Sequence, residues 1–213
     1  MSRDVSFSTA FADALRGSEC HVVGLGGEPY RLPVDRWSGP IDEGDLALLD
    51  LCHGPTLDIG CGPGRLTEAL ARRGQIVLGI DVVAEAVVQT NRRGAAALRR
   101  NVFFPIPAEG RWQTALLADG NVGIGGDPVA LLRRASELVT PTGRVVVEVA
   151  EPGVETQVVW AELHADTGRS RPFRWAVVSA DDLWRLATEA ELSVTVMTTA
   201  EGRWFGVLDR ESA

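Results

Sequence analysis

Residues 56–66, Thr-Leu-Asp-Ile-Gly-Cys-Gly-Pro-Gly-Arg-Leu, set three glycines between a short apolar run and a segment of helical periodicity. Such a turn joins a strand to a helix. Glycine reaches positive φ at little steric cost and lets a ligand approach the backbone where other residues carry a Cβ. The first N–H groups of the following helix have no partners within it and face that ligand. Asp81 ends the next apolar run, 17 residues after Gly64. A carboxylate there accepts hydrogen bonds from both hydroxyls of a ribose, or caps the next helix.

Around this turn, strand and helix patterns alternate. Apolar runs at 56–59, 75–81, 95–98, 112–118 and 144–150 predict strands; helices are expected near 65–73, 84–93 and 128–139. Asp127-Pro128 supplies an N-cap followed by proline at the first helical position. A helix over 180–190 and two strands, 192–198 and 204–209, close the chain, while 151–178 reads as less regular. The pattern predicts a mainly parallel sheet with helices on both faces and ligands at the carboxyl ends of the strands. Upstream, a helix near 8–16, a hairpin of 21–23 with 30–32 around Gly24-Leu25-Gly26-Gly27-Glu28, a loop over 33–40 and a helix from 43 to 52 are expected. Residues 1–45 are therefore taken as an N-terminal cap, and 46–213 as the main domain.

Charge and residue usage exclude several chemistries. All 21 basic residues are arginine, so neither a phosphate loop with its lysine nor a pyridoxal Schiff base is available. That bias also suggests a GC-rich bacterial gene. A net charge of −8 disfavours nucleic acid as a partner. No apolar run approaches the ~18 residues of a membrane span, and no secretory pattern opens the chain, so a cytoplasmic location is expected. Cys20, Cys52 and Cys61 form neither a disulfide framework nor a metal-ligand spacing, and no metal is expected.

Leu57 to Leu66, with Gly79-Ile80-Asp81, resembles the first two motifs of the Rossmann-like class I S-adenosylmethionine-dependent methyltransferases, and the element order is similar across roughly 45–209. The resemblance implies an α/β fold with a seven-stranded, mostly parallel sheet carrying one antiparallel strand. It implies S-adenosylmethionine as cofactor, with Asp58, Gly60, Cys61, Gly62 and Gly64 along its methionine end and Asp81-Val82 at the ribose. The family usually sets an acid after the third strand, facing the adenine amino group. Asn101-Val102 stands there in this chain, and a neutral amide contributes roughly 1 kcal/mol against about 1.5–3 for a charged partner.

By position, the loop Ala118-Asp119-Gly120-Asn121-Val122-Gly123-Ile124-Gly125-Gly126 borders the transferred methyl, which adds Asp119 to the cofactor residues. Its glycines allow close approach to a ligand or simple flexibility. No Asn/Asp-Pro-Pro-aromatic motif is present, so the expected partner is a small-molecule acceptor. Asn121 and His164 are the candidate catalytic residues; His53, Asp119 and Asp166 are other candidate bases. Trp37, Trp160 and Trp175 are expected to wall the acceptor site or to meet the sulfonium by cation–π contact, and Trp112, Trp184 and Trp204 to lie in the core. Arg169, Arg171 and Arg174 either receive an acidic substrate or decorate a solvated loop. Two other readings remain: a cofactor-binding protein without catalysis, and a nucleotide-dependent oxidoreductase, which Arg65 disfavours by replacing a glycine of the dehydrogenase fingerprint.

Overall fold

The computed structural model describes residues 4–24 and 28–210. Its strands, in chain order, are β1 (Asp4–Val5), β2 (Cys20–Val23), β3 (Tyr30–Arg31), β4 (Thr56–Ile59), β5 (Val77–Asp81), β6 (Ala97–Arg99), β7 (Trp112–Leu117), β8 (Val139–Val149), β9 (Gln157–Ala165), β10 (Gly168–Ser170), β11 (Phe173–Val177), β12 (Leu192–Ala200) and β13 (Arg203–Arg210). The helices are α1 (Phe7–Leu15), α2 (Val34–Ser38), α3 (Glu43–Leu49), α4 (Arg65–Arg72), α5 (Ala84–Arg92), α6 (Pro128–Leu138) and α7 (Leu183–Glu189).

Seven strands form the main sheet in the order β12-β13-β8-β7-β4-β5-β6. β8, β7, β4, β5 and β6 pair in parallel, and β13 runs antiparallel to both its neighbours. Alternate residues of each central strand enter opposite cores. Leu57, Ile59, Ala115, Leu117, Val145 and Val147 pack against α6 and α7. Leu116, Val146, Phe205 and Val207 pack against α3 and α4. A strand covered on both faces reads as an unbroken apolar run, which is why these strands stand out in the sequence. Asp127 accepts from the Ala130 N–H and Pro128 opens α6, as the sequence implied.

The second sheet corrects the expected irregular stretch. Residues 157–177 contribute β9, β10 and β11, and these join the N-terminal strands in the order β1-β10-β9-β2-β3, with β11 also paired to β9. The hairpin of β2 with β3 forms as expected, through His21 opposite Arg31 and Val22 opposite Tyr30; residues 25–27 of its turn lie outside the described residues. β1 pairs with β10 through Asp4 opposite Arg169. Inside the expected loop 33–40, Val34–Ser38 makes one helical turn. Helix α1 lays Ala10 and Ala14 on this sheet against Val22, Ala161 and Leu163. Small residues bring the helix close, while Phe7 and Phe11 stay free to face the space between the sheets.

Candidate functional site

Between the carboxyl ends of β4, β5 and β7 and the second sheet lies a cavity of about 660 Å³. A volume of that size is typical of small-molecule sites. One wall is the glycine loop. Gly60 and Cys61 donate their N–H groups to the Ile80 carbonyl, at 2.8 and 3.1 Å, which ties the loop to β5. Asp81 then accepts from Gly62 N–H through Oδ2 at 3.1 Å and from Val83 N–H through Oδ1 at 2.8 Å. It therefore fixes both the loop and the entry to α5. An ionised carboxylate offers about four acceptor positions, so half of them stay available. Burial raises its pKa, and the backbone N–H groups oppose that rise.

Gly64 starts α4 with φ +89°. A Cβ there would sit 2.6 Å from the Thr90 hydroxyl and 2.8 Å from the Thr90 Cα, so only glycine fits. Gly64 packs behind the loop and does not line the cavity; Gly60, Cys61 and Gly62 do. Asp58 lines it too, almost fully buried, with the Thr67 hydroxyl donating to it at 2.6 Å. Burial pushes Asp58 up to about 7, the Thr67 bond opposes the shift, and the nearby Asp119 and Asp81 charges add to it. Val82, Asn101 and Val102 complete this side. Asn101 Oδ1 accepts from Phe103 N–H at 3.0 Å, so the oxygen expected to meet a ligand also closes a turn.

Asn121 lines the cavity, and its amide spans the gap between two loops. Its Nδ2 donates to the Ile59 and Gly60 carbonyls, at 3.0 and 2.9 Å. Both amide hydrogens are spent on holding the glycine loop. Of the glycines after Asn121, Gly125 lines the cavity, while Gly123 and Gly126 meet β11: a Cβ on Gly123 would come within 2.0 Å of the Ala176 carbonyl. The close approach they permit is that of β11, which bridges Ile124 to Trp175.

The residues that sequence reasoning missed are charged. Arg65 is buried and pairs with Asp45 and, at 2.8 Å, with Asp119. Arg203 holds Glu148 with two bonds of 2.8 Å, Asp45 at 2.8 Å and Asp42 at 3.3 Å. Glu148 in turn accepts from Asp119 N–H at 2.7 Å, while Asp119 takes a left-handed φ of 51°. The Arg65 Nε has no hydrogen-bond partner among the described residues. Burial raises Asp119 although Arg65 counters it. One signal was available beforehand. A cation at a helix N-terminus opposes the helix dipole, so Arg65 needed carboxylate partners from elsewhere.

Opposite the glycine loop the lining is apolar. Phe7, Phe11, Leu32, Trp37, Leu163, Phe173 and Trp175 face the cavity, along with Arg36 and Arg174. His164 does not. It follows Leu163 on β9, so it points to the other face, where it pairs with Glu162 at 3.0 Å. Trp160 shares that outer face and is 66% exposed. Of the four candidate bases only Asp119 lines the cavity; His53, His164 and Asp166 lie elsewhere, as do Arg169 and Arg171. Trp112 is buried and Trp204 packs on the core as expected, but Trp184 is 49% exposed. All three cysteines are free and buried. Burial holds the Cys61 thiol well above its ordinary range.

Residues 56–143, which run from the glycine-loop strand to β8, match the family model of a methyltransferase domain. Over that span the chain resembles the class I methyltransferases. That family depends on S-adenosylmethionine. A ubiquinone biosynthesis O-methyltransferase from Azorhizobium caulinodans is 29% identical over 141 residues, 64% of this chain and 54% of that protein. The chain thus spans about half the length of the curated relative it matches. A Bacteroides fragilis methyltransferase crystallised with S-adenosyl-L-homocysteine superposes with a TM-score of 0.81 at 19% identity, covering 96% of this chain and 94% of that one. The CcbJ methyltransferase of Streptomyces caelestis gives 0.63 at 18% identity over 83% and 92%. These likenesses are likenesses of fold.

Proposed function

We propose that this chain binds S-adenosylmethionine along the glycine-loop wall and transfers its methyl group to a small molecule held under the second sheet. The observation that carries the proposal is one continuous cavity joining a buried polar wall to an apolar roof. The polar wall fits the donor. Asp81 keeps acceptor positions for two ribose hydroxyls, with Val82 beside it. Gly60, Cys61 and Gly62 offer backbone with little side chain in the way. Asn101 and Val102 flank the adenine position, with only a neutral amide to meet the amino group. Asp58 and Asp119 provide carboxylates at the methionine end. When bound, the donor supplies an electrophilic methyl on a sulfonium.

The chain's own task is alignment. Asp81, the Gly60–Gly62 backbone and Asp58 would hold the donor, which would supply a methyl for in-line displacement by an acceptor lone pair, the carbon–sulfur electron pair remaining on sulfur. The acceptor's proton, where it carries one, leaves to water. Holding donor and acceptor in line supplies much of the acceleration. His164 has no part in this, since it faces away from the cavity. Asn121 acts as a positioning residue through its two bonds to the loop. On this reading residues 46–213 carry the donor site, and segments 1–45 and 151–178 cover the acceptor.

Calorimetry with S-adenosylhomocysteine and NAD tests the donor assignment. The first binds and the second does not. Asp81→Ala weakens S-adenosylhomocysteine by roughly 2–3 kcal/mol, through loss of charge-assisted bonds and of the Gly62 anchor. Unchanged affinity in that variant removes Asp81 from the site. Release of S-adenosylhomocysteine when a metabolite extract is offered separates the enzyme from a non-catalytic binder.

A further inference from the structure

We infer that the acceptor is a planar aromatic molecule, neutral or anionic, lying against a wall of five rings in the roof; this rests on the donor assignment above. Trp37 of α2, Phe11 and Phe7 of α1, and Phe173 and Trp175 of β11 all line the cavity. Their rings form an unbroken series, with centroids 5.8, 5.5, 4.8 and 6.4 Å apart in that order. None of the five is fully buried. Each therefore packs on its neighbour and still presents surface to the cavity. Offset and edge-on contacts with a flat guest favour aromatic over saturated rings of equal size.

The same geometry argues against a cationic acceptor. An aromatic cage for an ammonium needs rings around a common centre, each about 6 Å from the charge. Here the rings contact one another and make a wall. The charges agree. Of the carboxylates on the facing polar wall, Glu148 and Asp119 are already paired with Arg203 and Arg65. Arg36, which pairs with Asp119 at 3.8 Å and with Asp42 at 3.9 Å, and Arg174 line the same region. Arg174 forms no ion pair among the described residues; its Nη2 donates to the Gly126 carbonyl at 3.2 Å. A cation would meet repulsion from Arg174, the arginine of this region without an ion pair among the described residues, and an anionic ring substituent would not.

Calorimetry on protein saturated with S-adenosylhomocysteine tests this, using 2-naphthol, 6-hydroxy-2-naphthoate, decahydro-2-naphthol and cyclohexyltrimethylammonium as probes. The two flat probes bind about tenfold more tightly than the saturated alcohol, and the ammonium binds least. Phe173→Leu removes most of that preference while leaving the affinity for S-adenosylhomocysteine unchanged. Should that variant fail to fold, Phe11→Leu asks the same question from the other side of the wall. Equal binding of the flat and saturated alcohols, tightest binding of the ammonium, or no binding by any probe overturns the inference. Failure of S-adenosylhomocysteine itself to bind overturns the donor assignment instead, so the two ideas fall separately.

Discussion

The two sheets furnish one cavity with opposite chemistry. The main sheet contributes carboxylates, glycine backbone and a buried ion-pair network around Arg65 and Arg203. The second sheet and the helices on it contribute rings and aliphatic groups, with Arg36 and Arg174 among them. The difference follows from what each wall has to do. A donor with hydroxyls and charges needs fixed polar partners, and buried polar groups must be satisfied by a rigid surround. A site that accepts its guest by shape needs surface more than partners. The polar wall should therefore respond to substitution through stability, and the apolar roof through acceptor recognition.

The largest test of this contrast is Arg65→Met. Removing one member of a buried ion network leaves carboxylates without compensation, at a cost of about 4 kcal/mol, measured by urea unfolding. Loss of less than 1 kcal/mol would show that Arg203 alone neutralises Asp45 and Asp119. Next comes Gly64→Ala, for which left-handed strain and the collision with Thr90 together cost about 3 kcal/mol. The same measurement reads it, and an unchanged midpoint would mean that α4 shifts to make room.

A smaller effect concerns Asp58. Burial pushes its carboxyl up to about 7 in the fold, from an ordinary aspartate value of 3.8. A raised pKa means the folded chain holds the proton more tightly, so this contribution is full below about pH 4. It fades as pH rises through 7. Relative to Asp58→Asn, the wild type should lose about 3 kcal/mol of unfolding free energy between pH 5 and 8. Parallel profiles for the two proteins would show that Asp58 stays ionised in the fold. The smallest expected effect is that of His164→Ala. The residue is partly exposed on the outer face, and its pairing with Glu162 is worth under 1 kcal/mol. Turnover should stay within about twofold; a larger fall would put the outer face of the second sheet into the reaction.

Legibility in the sequence divides along the same line. Strands β4, β7 and β8 were readable because burial on both faces makes them continuous apolar runs. Strands β9 to β11 were not. In β9, Val159, Ala161 and Leu163 turn inward, but Val158 and Trp160 on the outer face are apolar as well, which conceals the two-residue period. β1 is two residues long and pairs with Arg169 and Ser170 near the far end of the chain. No local signal announces such a partner.

The sequence alone determined the glycine turn with Asp81 after it, the strand–helix alternation and the exclusion of lysine chemistry, because each depends on neighbours a few residues apart. Only the tertiary structure decided which tryptophans face the cavity, that Arg65 is an internal ion and that His164 turns away. Those outcomes depend on the register of strands whose partners are distant in the chain. A shift of one residue in that register would exchange the two faces of β9 and replace Leu163 with His164 in the cavity.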